Sequence, residues 1–215
     1  MSLELRPLLG LKSPLFQSVL TEVAQKLRHR KLKLATAESC TGGLFSTLMT
    51  EWPGSSQFFD GSVVAYDNSF KTRFLNVSHE DLETYGAVSP EIAQAMATGL
   101  SRLTQSDICL SFTGIAGPAG GTDKKPVGLV YMSVAYKEDP FSLHSSDFIN
   151  NIARLLKHPG TDLSVIPSAS TSSWTLRILT DGSLLHDLQT DDFSRRSRIR
   201  WTTCFLALEM LRRGL

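Results

Sequence analysis

Two stretches of this chain bring hydroxyls, glycines and backbone amides together at spacings that could hold an anion or a developing oxyanion. The first is Thr36-Ala37-Glu38-Ser39-Cys40-Thr41-Gly42-Gly43, which falls between an alternating segment at 32–37 and a helical one at 44–52. At such a strand-to-helix turn the free N–H groups point at a ligand. The same residues could equally do no more than cap the helix. The second is Thr113-Gly114-Ile115-Ala116-Gly117-Pro118-Ala119-Gly120-Gly121-Thr122, in a loop spanning 114–126. That is longer than the usual connection of about 2 to 6 residues, and its glycines allow close backbone approach or an amide nest for phosphate. Neither G-x-x-x-x-G-K-[ST] nor G-x-G-x-x-G spacing is present, so the nucleotide motifs built on them are not supported.

Hydrolytic chemistry needs a nucleophile and a base. No histidine lies in these segments or in Pro53-Gly54-Ser55-Ser56 and Tyr66-Asp67-Asn68-Ser69-Phe70-Lys71; the five are His29, His79, His144, His158 and His186. A local Ser-His pair is therefore not offered. Ser56 and Lys71 could meet if the chain folds back, with the lysine neutral through burial; on spacing alone Lys71 reads more simply as a solvated helix residue. Cys40, at a helix start, offers a thiolate as another nucleophile. Arg196 and Arg200, four apart, share one helix face and could grip a phosphate or form a solvated basic face.

The elements that must position these groups follow from periodicity. Apolar residues at Phe16, Val19, Leu20, Val23 and Leu27 predict a helix over 15–30. Strands are expected at 32–37, 58–66, 107–113 and 127–136, and an edge strand at 174–180. The helical pattern is continuous over 70–103, with start signals at Ser78 and at Ser89-Pro90. A last helix is expected over 193–213. Residues 137–173, rich in Ser, Pro, His and Asp, read as an insertion or long surface excursion whose only helical-looking piece is 148–156. The alternation predicts one domain over 1–215, a three-layer α/β/α sandwich around a mixed sheet.

Composition narrows the function. Lys plus Arg number 22 against 21 Asp plus Glu, a net charge of +1, so no global field attracts a nucleic acid. No apolar run approaches the roughly 20 residues of a membrane helix, and residues 1–6 lack a signal-peptide pattern. A cytoplasmic protein is expected. Cys40, Cys109 and Cys204 form no CxxC pair, so neither a disulfide framework nor a standard zinc site is expected, and Cys109 and Cys204 read as buried small hydrophobes.

Taken together, Thr-Ala-Glu-Ser-Cys-Thr-Gly-Gly at 36–43, Pro-Gly-Ser-Ser at 53–56, Tyr-x-Asn-x-x-Lys at 66–71, Gly-Ala-Val-Ser at 86–89, Thr-Gly-Ile-Ala-Gly-Pro at 113–118 and Lys-Pro-Val-Gly at 125–128 resemble the CinA C-terminal domain family in order and spacing. The resemblance is strong over about 15–136 and weak in the final helix, where Ser194-Arg195-Arg196 stands in place of the family's Gly-Asp-Arg. Stand-alone family members are nicotinamide mononucleotide amidohydrolases. The resemblance therefore implies hydrolysis of that carboxamide to nicotinate mononucleotide and ammonia, without metal or cofactor. It implies Ser56 as nucleophile, Lys71 as base and Tyr66 assisting. Ser39, Thr41, Gly42, Thr113, Gly114, Gly117 and Arg196 are implied as substrate-binding or oxyanion-side groups. A small nucleotide as partner, no nucleic acid or membrane, and a homo-oligomer are expected with it. The other expectation is a non-catalytic nucleotide-binding regulatory module.

Overall fold

A computed structural model describes residues 14–139, 160–166, 173–183 and 194–215. Six strands form one sheet in the order β2-β1-β3-β4-β6-β5. They are β1 (Leu34–Glu38), β2 (Phe59–Val64), β3 (Ile108–Gly114), β4 (Leu129–Tyr136), β5 (Thr161–Ile166) and β6 (Ser173–Thr180). β2, β1 and β3 run parallel, while β4, β6 and β5 add antiparallel. The sheet is thus mixed, as expected.

Strand alternation sends large and small residues to opposite faces. Leu34, Leu110, Phe112, Met132, Val134, Trp174, Leu176 and Ile178 pack beneath α1 (Pro14–His29), α2 (Leu44–Thr50) and α6 (Arg195–Gly214). Ala35, Ala37, Cys109 and Ala135 face α3 (Asn68–Leu75), α4 (His79–Tyr85) and α5 (Pro90–Thr104). So flat a face lets α5 lie close to the sheet, near enough that the Ser111 hydroxyl donates to the Ala93 carbonyl at 2.6 Å. α3 approaches α5 equally closely at Gly99, where a Cβ would stand 1.8 Å from the Leu75 carbonyl oxygen. Two helical layers around a sheet give the expected three-layer sandwich.

Three local expectations are corrected. The continuous helical pattern over 70–103 is cut into α3, α4 and α5 by Asn76, at φ 56° as the C-cap of α3, and by Gly86, at φ 73°. Residues 161–166, within the supposed excursion, form the outermost strand β5. β6 is not an edge but lies between β4 and β5. Its polar positions are buried by cross-strand bonding, with the Thr175 hydroxyl donating to Ser133 at 3.0 Å. The helical piece expected at 148–156 lies outside the described residues.

Candidate active site

The three parallel strands end on the same side of the sheet, so the segments after β1, β2 and β3 converge there, where open α/β sheets form their crevice. Each follows from its strand's alternation. Glu38 turns toward the α1/α2/α6 face, while Ala37 and then Ser39 turn toward α3 and α5. Ser39 continues β1 by donating its amide to the Phe112 carbonyl at 2.9 Å, which puts it beside Thr113 of β3. Thr113 faces the same layer, its hydroxyl donating to the Ala87 carbonyl at 2.6 Å. The Ser39 hydroxyl has no hydrogen-bond partner among the described residues.

The turn from β1 into α2 is held by Glu38. This fully buried carboxylate accepts from the amide of Phe45 at 3.1 Å and of Ser46 at 2.8 Å, and from the hydroxyls of Thr36 and Ser62 at 3.4 Å each. Gly42 and Gly43, at φ 59° and 86°, supply the left-handed backbone this reversal needs. The Thr41 hydroxyl in the same turn is buried with no partner among the described residues. The amides of Thr41 and Gly43 likewise make no hydrogen bond among the described residues.

Lys71 is not the solvated residue that spacing alone suggests. Its position on α3 turns it inward, leaving it 1% exposed, and its ammonium donates only to the Tyr66 carbonyl, at 3.2 Å. No carboxylate lies within ion-pair distance of it among the described residues. Burial lowers its pKa from the ordinary value, opposed first by the charge of Asp67 and then by Cys40. An amine whose burial favours its neutral form, on the Ser39 face of the sheet, suits a general base.

α6 roofs the site from the other layer. Arg196 donates to the Gly117 carbonyl at 2.7 Å and to the Tyr66 hydroxyl at 2.8 Å, while Arg200 donates to the Thr41 carbonyl at 2.6 and 3.1 Å. The final helix therefore ties together all three segments that follow the parallel strands. Neither guanidinium has a carboxylate partner among the described residues, so both leave positive charge at the mouth. Gly114 is required where β3 meets the start of β4: a Cβ there would stand 2.7 Å from the Leu129 carbonyl oxygen. No cluster of three or more metal-ligating side chains occurs among the described residues.

Ser56 is elsewhere. It lies in a single 3-10 turn, Ser55–Gln57, that precedes β2, whereas Lys71 follows it, and six strand residues separate the two ends by about 20 Å. Ser56 is exposed, and its carbonyl accepts from Lys33 at the opposite margin of the sheet. The expected Ser56–Lys71 pair is thus not brought together. Ser39, Tyr66, Lys71, Thr41, Gly42, Thr113, Gly114, Gly117 and Arg196 do converge. Arg200 was expected only as a possible phosphate grip beside Arg196, and Glu38 only as part of the 36–43 stretch; that they hold the turn was missed, although an acid closing a strand just before a helix start signals an anchor for that helix's amides.

Cys40 is disfavoured as the nucleophile. Burial first, and then the Glu38 carboxylate, push its thiol up to about 12. At neutral pH only about one thiol in 10⁵ would be ionised.

A mixed three-layer sandwich, with a buried lysine and a free serine hydroxyl under an arginine-bearing helix, defines a class of α/β domain with a built polar crevice. The family model for the CinA C-terminal domain matches residues 16–156, and this chain belongs to that family. A CinA-like protein of Syntrophomonas wolfei is 52% identical over 118 residues, which are 55% of this chain and 28% of that protein. One from Desulfotalea psychrophila is 54% identical over 113 residues, 53% and 27% of the two chains. The matched segment thus spans little more than a quarter of these relatives. A crystal structure of a competence/damage inducible protein from Agrobacterium tumefaciens aligns over 91% of this chain and 93% of its own, with TM-score 0.66 and 30% identity.

Proposed function

We propose that this domain hydrolyses the carboxamide of nicotinamide mononucleotide to nicotinate mononucleotide and ammonia, in the cytoplasm as part of pyridine nucleotide salvage, with Ser39 rather than Ser56 as nucleophile and Lys71 as base. The observation that carries this reading is the buried, carboxylate-free Lys71 on the same sheet face as the unpartnered Ser39 hydroxyl.

The steps balance on these groups. Neutral Lys71 takes the Ser39 proton while Oγ bonds to the carboxamide carbon, and the tetrahedral oxyanion is held by the amides of the Thr41–Gly43 turn. Lys71 returns the proton to the leaving nitrogen, the C–N bond breaks, and ammonia departs. Water then gives a proton to Lys71 as its oxygen attacks the acyl carbon. Cleavage of the ester returns that proton to Ser39. Tyr66, paired with Arg196, fixes the guanidinium near the substrate phosphate, and Gly42, Gly114 and Gly117 keep the walls thin enough for the nucleotide to reach the serine.

The test is ammonia release by the purified chain from nicotinamide mononucleotide and, separately, from nicotinamide, which lacks the phosphate. The reading expects turnover of the nucleotide and at least tenfold less of the free amide, matching loss of about 1.4 kcal/mol or more of phosphate binding. Binding of the nucleotide without ammonia release would make the domain a regulatory nucleotide-binding module instead.

A further inference from the structure

Two possible nucleophiles sit side by side in the turn, Ser39 and Cys40, and something must choose between them. A cysteine beside a helix N-terminus is ordinarily activated, because the helix's unpaired amides and positive dipole end favour thiolate. Here that end is already taken. Glu38 accepts from the amides of Phe45 and Ser46 in the first turn of α2, and its remaining lone pairs take the Thr36 and Ser62 hydroxyls. Its negative charge has no lysine or arginine within ion-pair distance among the described residues, so it acts on its surroundings undiminished.

We propose that Glu38 is a positioning residue that selects the hydroxyl over the thiol: its buried carboxylate fills the α2 amides that would activate Cys40 and locks the turn with Ser39 on the Lys71 face. This rests on the Ser39–Lys71 reading above. The geometry requires both effects at once. Alternation along β1 fixes Glu38 and Ser39 to opposite faces, so anchoring one carboxylate to α2 aims the next side chain at α3. The charged groups that bear on Cys40 are Glu38 from β1, Lys71 from α3, and Arg196 and Arg200 from α6, with the Cys204 thiol close by; α2 carries no titratable side chain. Burial opposes the thiolate most; among the charged groups the lysine and the arginines favour it, and Glu38 is the single carboxylate that opposes it.

The experiment is pH-dependent alkylation by iodoacetamide, mapped to each cysteine by mass spectrometry, on the whole chain and on Glu38→Gln and Glu38→Asp. Cys40 in the parent should be silent at pH 8. Glu38→Gln keeps an acceptor but loses the charge, so Cys40 labelling at pH 8 should rise about tenfold or more, one pKa unit, while Cys109 and Cys204 stay silent. Glu38→Asp keeps the charge but falls short of the α2 amides. With the amides freed but the charge kept, it should raise Cys40 labelling less than Glu38→Gln does and lower kcat about tenfold with KM little changed, since the turn is loosened without touching the substrate. Unchanged Cys40 labelling in a folded Gln variant would overturn the proposal, as would equal labelling of all three cysteines. Should the Gln variant not fold, the Asp variant decides alone, and undiminished kcat there overturns it. Labelling needs no substrate, so an inert parent would sink the amidohydrolase reading while the labelling still decides the role of Glu38.

Discussion

Arg200 grips the carbonyl oxygen of Thr41 with two N–H groups, at 2.6 and 3.1 Å, across 159 residues of chain. The last helix thereby holds the turn that carries Ser39. Arg200→Ala removes two charge-assisted hydrogen bonds, which are worth about 1.5–3 kcal/mol each, less whatever water restores at this half-buried site. A melting-temperature drop is expected together with a kcat loss. Arg200→Lys, a point donor in place of a planar fork, should recover stability better than it recovers kcat. Thermal melts beside steady-state kinetics on both variants check this.

Lys71 makes a prediction with opposite signs for stability and activity. Burial lowers its pKa below the ordinary 10.5, so between the two values the unfolded chain binds the proton and the folded chain does not. Stability should therefore rise with pH across that window and be flat, at its lower level, below it. Amide hydrolysis should climb along the same limb, as the neutral base forms. Lys71→Met should lower kcat by about 10²–10⁴-fold while raising the melting temperature at pH 7, an advantage that shrinks as the pH approaches 10.5.

Asp67 caps α3 with its carboxylate, accepting from the Ser69 amide at 2.8 Å, and its charge favours the protonated form of Lys71. Asp67→Asn keeps a capping oxygen and loses the charge. The ascending limb of the pH–rate profile should move to lower pH, with little change in KM. A shift to higher pH would contradict the electrostatics.

Gly99→Ala tests the packing that presents Lys71. Alanine in place of glycine ordinarily strengthens a helix by about 1 kcal/mol. Here the added Cβ would stand 1.8 Å from the Leu75 carbonyl oxygen, so α3 must move off α5, and such overpacking costs about 1–3 kcal/mol. Net destabilisation is expected in chemical denaturation, with lowered activity because α3 carries the base.

Much of this arrangement was legible in the residues. The amphipathic stripe of α1 and the polar, glycine-rich turns closing β1 and β3 marked their elements to within a few residues. Other features were hidden for physical reasons. Asn76 and Gly86 cut the pattern over 70–103 without disturbing its apolar period, and β5, reading Thr-Asp-Leu-Ser-Val-Ile, hides its alternation in a polar sheet-edge strand. β6 looked like an edge because its hydroxyl positions resemble solvent-facing ones, but those hydroxyls are bonded within the fold, Thr175 to Ser133 of β4, Thr180 to Thr161 of β5 and Ser173 to Gln94 of α5. The separation of Ser56 from Lys71 was hidden for the same kind of reason. A motif's order along the chain does not say which end of a strand it occupies, and β2 separates the two. The alternation Ala35, Ala37, Ser39 puts Ser39 on the face toward which Lys71 turns, and the proposed function selects that serine on this ground.

The most direct test of that selection is ammonia release from nicotinamide mononucleotide by Ser39→Ala and Ser56→Ala, measured side by side with the parent chain after melts confirm that both variants fold. The account predicts that Ser39→Ala loses at least about 10³-fold of the parent's kcat while Ser56→Ala stays within about twofold of it. Loss of turnover in Ser56→Ala with activity retained in Ser39→Ala would contradict it.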